Sequence, residues 1–106
     1  MAQAVLRLDA LPEGPLDAAA MFHETYLAQA RAALHGADAL VLVFPVAPHS
    51  HRAWRLAAVQ ELAREAAPAR VNGVEAGGEE AVAAVLAYLE GAPGITGQLL
   101  AAAPPR

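Results

Sequence analysis

The sequence contains no cysteine and no lysine, a single isoleucine, a single tryptophan, and 5% aromatic residues in 106. Without cysteine there is no disulfide framework, no thiol nucleophile and no thiolate metal site. The cations are seven arginines, none adjacent to another; the nearest pair, Arg52 and Arg55, stands one helical turn apart. The formal net charge is -4. Phosphate recognition needs clustered cations, so nucleic acid is excluded as the main partner. No apolar run approaches the ~18–20 residues that span a bilayer; Ala39–Phe44 is of strand length. The opening residues show no basic segment followed by a long apolar stretch, so no secretory signal is read there. A cytoplasmic protein without a membrane partner is expected.

What is abundant is apolar side chain. Apolar types reach 57%, with 29 alanines, 14 leucines and nine valines, against a usual ~45–50%. That excludes disorder for most of the chain, and the length is that of one domain, residues 1–106. An apolar surplus in so small a chain also points to surface buried between copies, as a homodimer or homotetramer.

The pattern along the chain alternates. Ala4–Leu8 reads as a strand, and Pro12, Gly14 and Pro15 punctuate the loop after it. Asp17 is the expected N-cap of a helix to about His35, with Leu16, Ala20, Leu27, Ala30 and Leu34 on its buried stripe. Gly36 ends it. Ala39–Phe44 is apolar without alternation, as a strand covered on both faces is. Ser50 is the expected N-cap of a second helix, His51–Ala67, stopped by Pro68. Arg70–Val74 reads as a third strand. Gly77 and Gly78 form a turn, and Glu79 and Glu80 stand where a helix N-terminus favours negative charge. Val82, Val85, Leu86 and Leu89 give a third helix, and Leu99–Ala102 a last strand before a frayed tail, residues 103–106. This order predicts an α/β three-layer sandwich, with a small, mostly parallel sheet, helices on both faces and right-handed connections.

Two segments, LAREAAPARVNGVEAG (Leu62–Gly77) and AVAAVLAYLEGAPGITGQLL (Ala81–Leu100), resemble the short-chain dehydrogenase/reductase family. Val71-Asn72 stands in that family's Val-Asn place and Ile95-Thr96-Gly97-Gln98 in its ITGQ place. The firm resemblance covers Glu61–Leu100, and a looser one reaches back to Leu16. It implies the C-terminal half of a Rossmann-type fold, in a truncated and non-catalytic form. The departures carry that second inference. No glycine-rich turn follows Ala4–Leu8, although pyrophosphate needs one for close backbone approach. Pro48 falls in the place of the family's catalytic tyrosine and Arg52 in that of its lysine. Pro45 or Val46 replaces its serine, and Ala76-Gly77 its Pro-Gly. Proline has no proton to transfer, and arginine cannot be tuned toward neutral pH as lysine can. No cofactor is expected, unless a partner subunit completes a site for NAD or NADP.

The resemblance implies an assembly module that pairs through its two long helices, with Phe22, Tyr26, Trp54, Ala58 and Leu62 as candidate interface residues. Trp54 is equally placed to pack in the core. Alternatives are an accessory subunit of a full-length NAD(P)-dependent dehydrogenase, which would cover an exposed sheet edge, and a small anion-binding protein. The candidate anion or ligand loop is His49, Ser50, His51, Arg52 and Arg55, at a strand's C-terminal end, where open α/β sheets bind ligands. His49 and His51 could begin a zinc site, but no cysteine or carboxylate nearby completes one. The plainer reading is Ser50 as a cap flanked by two solvated histidines. His23 and His35 read as surface residues, Asn72 as a backbone-binding residue, Thr96 and Gln98 as turn-fixing residues, and Tyr26 and Tyr88 as packing.

Overall fold

The computed structural model describes residues 3–102, so the tail read as frayed lies outside the described residues. Four strands, β1 (Gln3–Arg7), β2 (Ala39–Phe44), β3 (Arg70–Glu75) and β4 (Leu99–Ala101), form one parallel sheet in the order β1-β2-β3-β4. Helices α1 (Pro15–Met21) and α2 (Leu27–Leu34) are joined by a π-helical turn, Phe22–Tyr26. A 3-10 turn, His49–His51, leads into α3 (Arg52–Ala66), and α4 (Glu79–Glu90) precedes β4. The α/β class, the parallel sheet and helices on both faces are as the sequence predicts. β4 pairs with β3 of its own chain.

The handedness is corrected. Each connection steps the same way across the sheet. The run from α1 to α2 packs with α3 on one face, against Leu40, Leu42, Phe44, Val71 and Leu99. Helix α4 packs on the other face, against Val41, Val43 and Val74. An identical step with the helix on the opposite face reverses the crossover, so the three connections cannot all be right-handed, as the common rule would have them. Every residue of β2 is buried. Without α4 on the second face, Val41 and Val43 would meet water.

Several local expectations also change. Asp17 is not the cap: the helix begins at Pro15 after Gly14, and Asp17 sits in the first turn, where its charge suits the helix dipole. Ser50 caps nothing, because the 3-10 turn places Pro48 before it and His51 before α3, with no side-chain cap at either. Leu16 is 88% exposed rather than buried, and Ala20 is exposed too. The residues turned inward are Ala18, Phe22, Tyr26, Ala30 and Leu34, every fourth position. In a strict α-helix that spacing drifts by about 40° per step; the wider π turn takes up the drift, and Leu16 is left off the buried stripe. Tyr88, read as packing, is 59% exposed.

The Ile95–Gln98 turn is bound tightly to β3, as read. The Asn72 side chain donates to the Ile95 carbonyl at 2.9 Å and accepts from the Gln98 amide at 3.0 Å, and Thr96 Oγ1 accepts from the Val71 amide at 3.0 Å. Arg70 donates to the Leu89 and Ala92 carbonyls at the end of α4, where a cation also suits the dipole. At Gly73 the side chains of α3 and β2 pack directly on the β3 backbone. A Cβ there would lie 2.8 Å from Val59 Cγ2 and 3.0 Å from Phe44 Cε2. Neither neighbour is a flexible end, so Gly73→Ala is expected to lower stability by about 1–3 kcal/mol, read by urea denaturation. A loss indistinguishable from zero would mean that α3 lies farther from the sheet.

Candidate functional site

The C-terminal ends of β1, β2 and β3 face the start of α3, and this is where the chain gathers its buried charge. Arg55 lies one turn inside α3 and is 1% exposed. Its guanidinium stands 4.9 Å from the centre of the Phe44 ring and 5.8 Å from that of Trp54. Nη1 donates to Glu75 Oε2 at 3.3 Å. Arg52 donates to Glu75 Oε1 at 3.2 Å and to the Leu99 carbonyl at 3.5 Å. Glu75 closes β3, so a strand end and the first turn of a helix build a triad of two cations around one carboxylate. Burial pushes the Arg55 guanidinium below the ordinary arginine range, and attraction and hydrogen bonding to Glu75 oppose that. It stays charged at neutral pH, as arginine does.

His51 is buried, and both its ring nitrogens are engaged. Trp54 Nε1–H donates to Nδ1 at 3.1 Å, and the Glu13 carbonyl lies 2.7 Å from Nε2. An indole is only a donor and a carbonyl only an acceptor. The pair therefore fixes the neutral imidazole with its proton on Nε2. This imidazole clamps the loop before α1 onto the start of α3. The expectation of two solvated histidines is thus corrected for His51: the 3-10 turn rotates it inward, while His49 and Ser50 remain exposed.

Two clefts flank the loop of residues 45–48. One, of about 500 Å³, is walled by Leu11, Pro12, Pro45, Pro48, His51 and Arg55. The other, of about 560 Å³, includes His49, Arg52, Glu75 and Ala76 in its walls. Of the candidate ligand loop, the fold brings Arg52 and Arg55 together through Glu75, sets His51 beside Arg55 in the wall of the first cleft, and leaves His49 and Ser50 exposed. Among the described residues no three His, Asp or Glu side chains converge as metal ligands would.

A third, smaller groove of about 270 Å³ runs between the π turn with α2 and the helix α3. Phe22, Trp54, Ala58 and Leu62 line it together with Leu27 and the exposed Ala57. Phe22, Ala58 and Leu62 also belong to the core. Trp54 packs in the core on its inner side, against the Phe22 and Phe44 rings, and lines the groove on its outer side. Tyr26 does not line the groove; it is half-buried, with its hydroxyl donating to the Ala10 carbonyl at 3.3 Å. Arg31 and Glu65 bridge the groove's end by two 2.8 Å hydrogen bonds. That contact holds the Glu65 carboxyl below the ordinary carboxylate range.

Sequence reasoning missed Glu75 and the Glu13 carbonyl. A carboxylate closing a strand, opposite arginines three apart at a helix start, was the available signal for Glu75. A backbone acceptor leaves no such trace.

Among the described residues no helix is long and apolar enough to cross a membrane. The model of a family described as short chain dehydrogenase-like protein matches residues 6–102, reaching further toward the N-terminus than the segments that carried the resemblance. No curated protein and no solved structure matches the chain. With parallel strands, helices on both faces and the Val71-Asn72 and Ile95–Gln98 segments in place, the chain belongs to the short chain dehydrogenase-like protein family.

Proposed function

We propose that this protein is a non-catalytic short chain dehydrogenase-like module, without a nicotinamide cofactor of its own, that pairs with a second copy through the surface of α2 and α3. The observation that supports it most is the Arg52–Glu75–Arg55 triad. Where the family resemblance would put a proton-relaying tyrosine and lysine stand Pro48, which has no proton to give, and Arg52, whose charge is tied to Glu75. The pairing rests on the apolar groove between α2 and α3, which presents the Trp54 ring beside Ala57. Aromatic anchors beside small residues suit a helix-to-helix contact.

Native mass spectrometry of the wild type and of Ala57→Arg tests this reading. Ala57 is exposed, so the substitution leaves the monomer's core alone. The expected result is a dimer or tetramer for the wild type and a monomer for Ala57→Arg at the same concentration. A monomeric wild type overturns the pairing. Hydride transfer with a nicotinamide cofactor overturns the non-catalytic reading. A second reading, an accessory subunit of a larger dehydrogenase, is favoured by β1, whose outer edge has no strand partner among the described residues. Such an edge is a template for another chain's strand.

A further inference from the structure

Among the described residues β1 has a strand neighbour, β2, on one side only. Which backbone groups it turns outward follows from the Leu8 amide, which donates to the Val43 carbonyl of β2 at 2.9 Å. The N–H and C=O of one residue point to the same side of a strand, and successive residues alternate. Ala4 and Leu6 therefore turn theirs to β2, and Gln3, Val5 and Arg7 turn theirs to solvent. The side chains leave this edge partly uncovered as well. Ala4 and Leu6 pack toward the face that carries α2 and are only half-buried. Val5 shares the opposite face with Gln3 and is 41% exposed.

The strand has the same character from either end, with apolar Ala4, Val5 and Leu6 between polar Gln3 and Arg7. A second copy turned end for end about Val5 sets Val5 against Val5 and Gln3 against Arg7. Residues opposed in this way exchange both N–H···O bonds, so each outward group of one copy meets its complement in the other. The side chains agree. Gln3 Nε2 donates to the Leu86 carbonyl of α4 at 3.2 Å, which leaves Oε1 without a donor among the described residues. Arg7 of the second copy would bring a guanidinium to it, one held only loosely, 3.7 Å from the exposed Glu79. Centring the register on Leu6 would draw the two arginines together, and like charges oppose that. Centring it on Ala4 would leave Arg7 without a described residue opposite.

We propose that β1 pairs antiparallel with β1 of a second copy, in a register centred on Val5, and so continues the sheet from one protomer into the next. This contact uses none of the α2 and α3 surface and does not rest on pairing there. A strand of five residues makes a small interface, below the roughly 1,000 Å² of a stable one. It therefore adds to the contact between α2 and α3, and copies kept apart at Ala57 still weigh as monomers.

A chain without cysteine suits a cross-linking test. Gln3→Cys, Val5→Cys and Arg7→Cys are made singly in the full-length chain, with the exposed Ser50→Cys as the control for chance collision. Disulfide dimers formed under mild oxidation are followed on non-reducing gels. Opposed Cα atoms about 5.5 Å apart lie within disulfide reach, whereas two copies of residue 3, or of residue 7, stand about 14 Å apart. Val5→Cys is expected to cross-link about tenfold faster than Ser50→Cys, because pairing raises the local concentration of the thiol. Gln3→Cys mixed with Arg7→Cys is expected to outpace either alone, and both results are expected to persist when Ala57→Arg is added. Val5→Cys no faster than Ser50→Cys overturns the proposal, and an edge reserved for another protein's strand gives that result. Gln3→Cys alone as fast as the mixture overturns the register. Loss of the Val5→Cys preference with Ala57→Arg overturns the independence from α2 and α3.

Discussion

Replacing Glu75 by alanine is expected to lower the stability of the fold by about 3 kcal/mol, the cost of leaving a buried charge without its partner. Arg55 has almost no contact with water and, among the described residues, no other acceptor to turn to. The two aromatic rings beside its guanidinium attract it but accept no conventional hydrogen bond. Arg52 loses the same partner at little cost, because 42% of its side chain reaches solvent. The double variant Arg55→Met with Glu75→Leu is expected to recover most of the loss, since an apolar pair of similar volume is often as stable as a buried ion pair. Urea denaturation of Arg55→Met, of Glu75→Leu and of the double variant gives the coupling directly. Additive losses in the double variant would mean that the two side chains do not act as a pair.

Phe44→Ala is expected to cost about 3–5 kcal/mol, the range for deleting a large aromatic side chain from a core. Phe44 is completely buried where three elements meet, with the Phe22 ring centre at 6.3 Å and that of Trp54 at 5.7 Å. Its face also supports Arg55. In a domain of this size the loss corresponds to a fall in Tm on the order of 15–25 °C. Trp54, the only tryptophan, reports on the site. Its emission is expected to shift to the red in the folded variant as water reaches the space beside the indole. A small Tm change with unaltered emission would show that neighbouring side chains collapse into the gap.

Much of the fold was legible because its signals are local. The unbroken apolar run of β2 announces a strand covered on both faces. Val82, Val85, Leu86 and Leu89 announce α4, and Gly36 and Pro68 mark helix ends. What was not legible depends on the whole assembly. The crossover hand reverses at α4 because Val41 and Val43 need cover, and that need exists only once the sheet is built. Ser50 resembles a cap by residue type, yet the 3-10 turn moves the helix start past it. The candidate loop was half legible. Arg52 and Arg55 were found by charge and spacing, whereas Glu75 reaches them only through the pairing of β3 with β2. His51 was misjudged because its acceptor is a backbone carbonyl 38 residues earlier in the chain.

The π turn stores one residue more than a regular α-helix needs for the same arc. Deleting any one residue between Phe22 and Tyr26 would let a regular α-helix form, and four residues at about 100° each sweep nearly the angle that the five now cover. Later side chains would keep their phase, with Arg31 still opposite Glu65 and Ala30 still on the sheet. Substituting His23, Glu24 or Thr25, all exposed, alters none of this. The segment works as slack in the chain: it absorbs one residue without turning the second half of the helix, and in any alignment with a relative that lacks the turn, a one-residue gap belongs there.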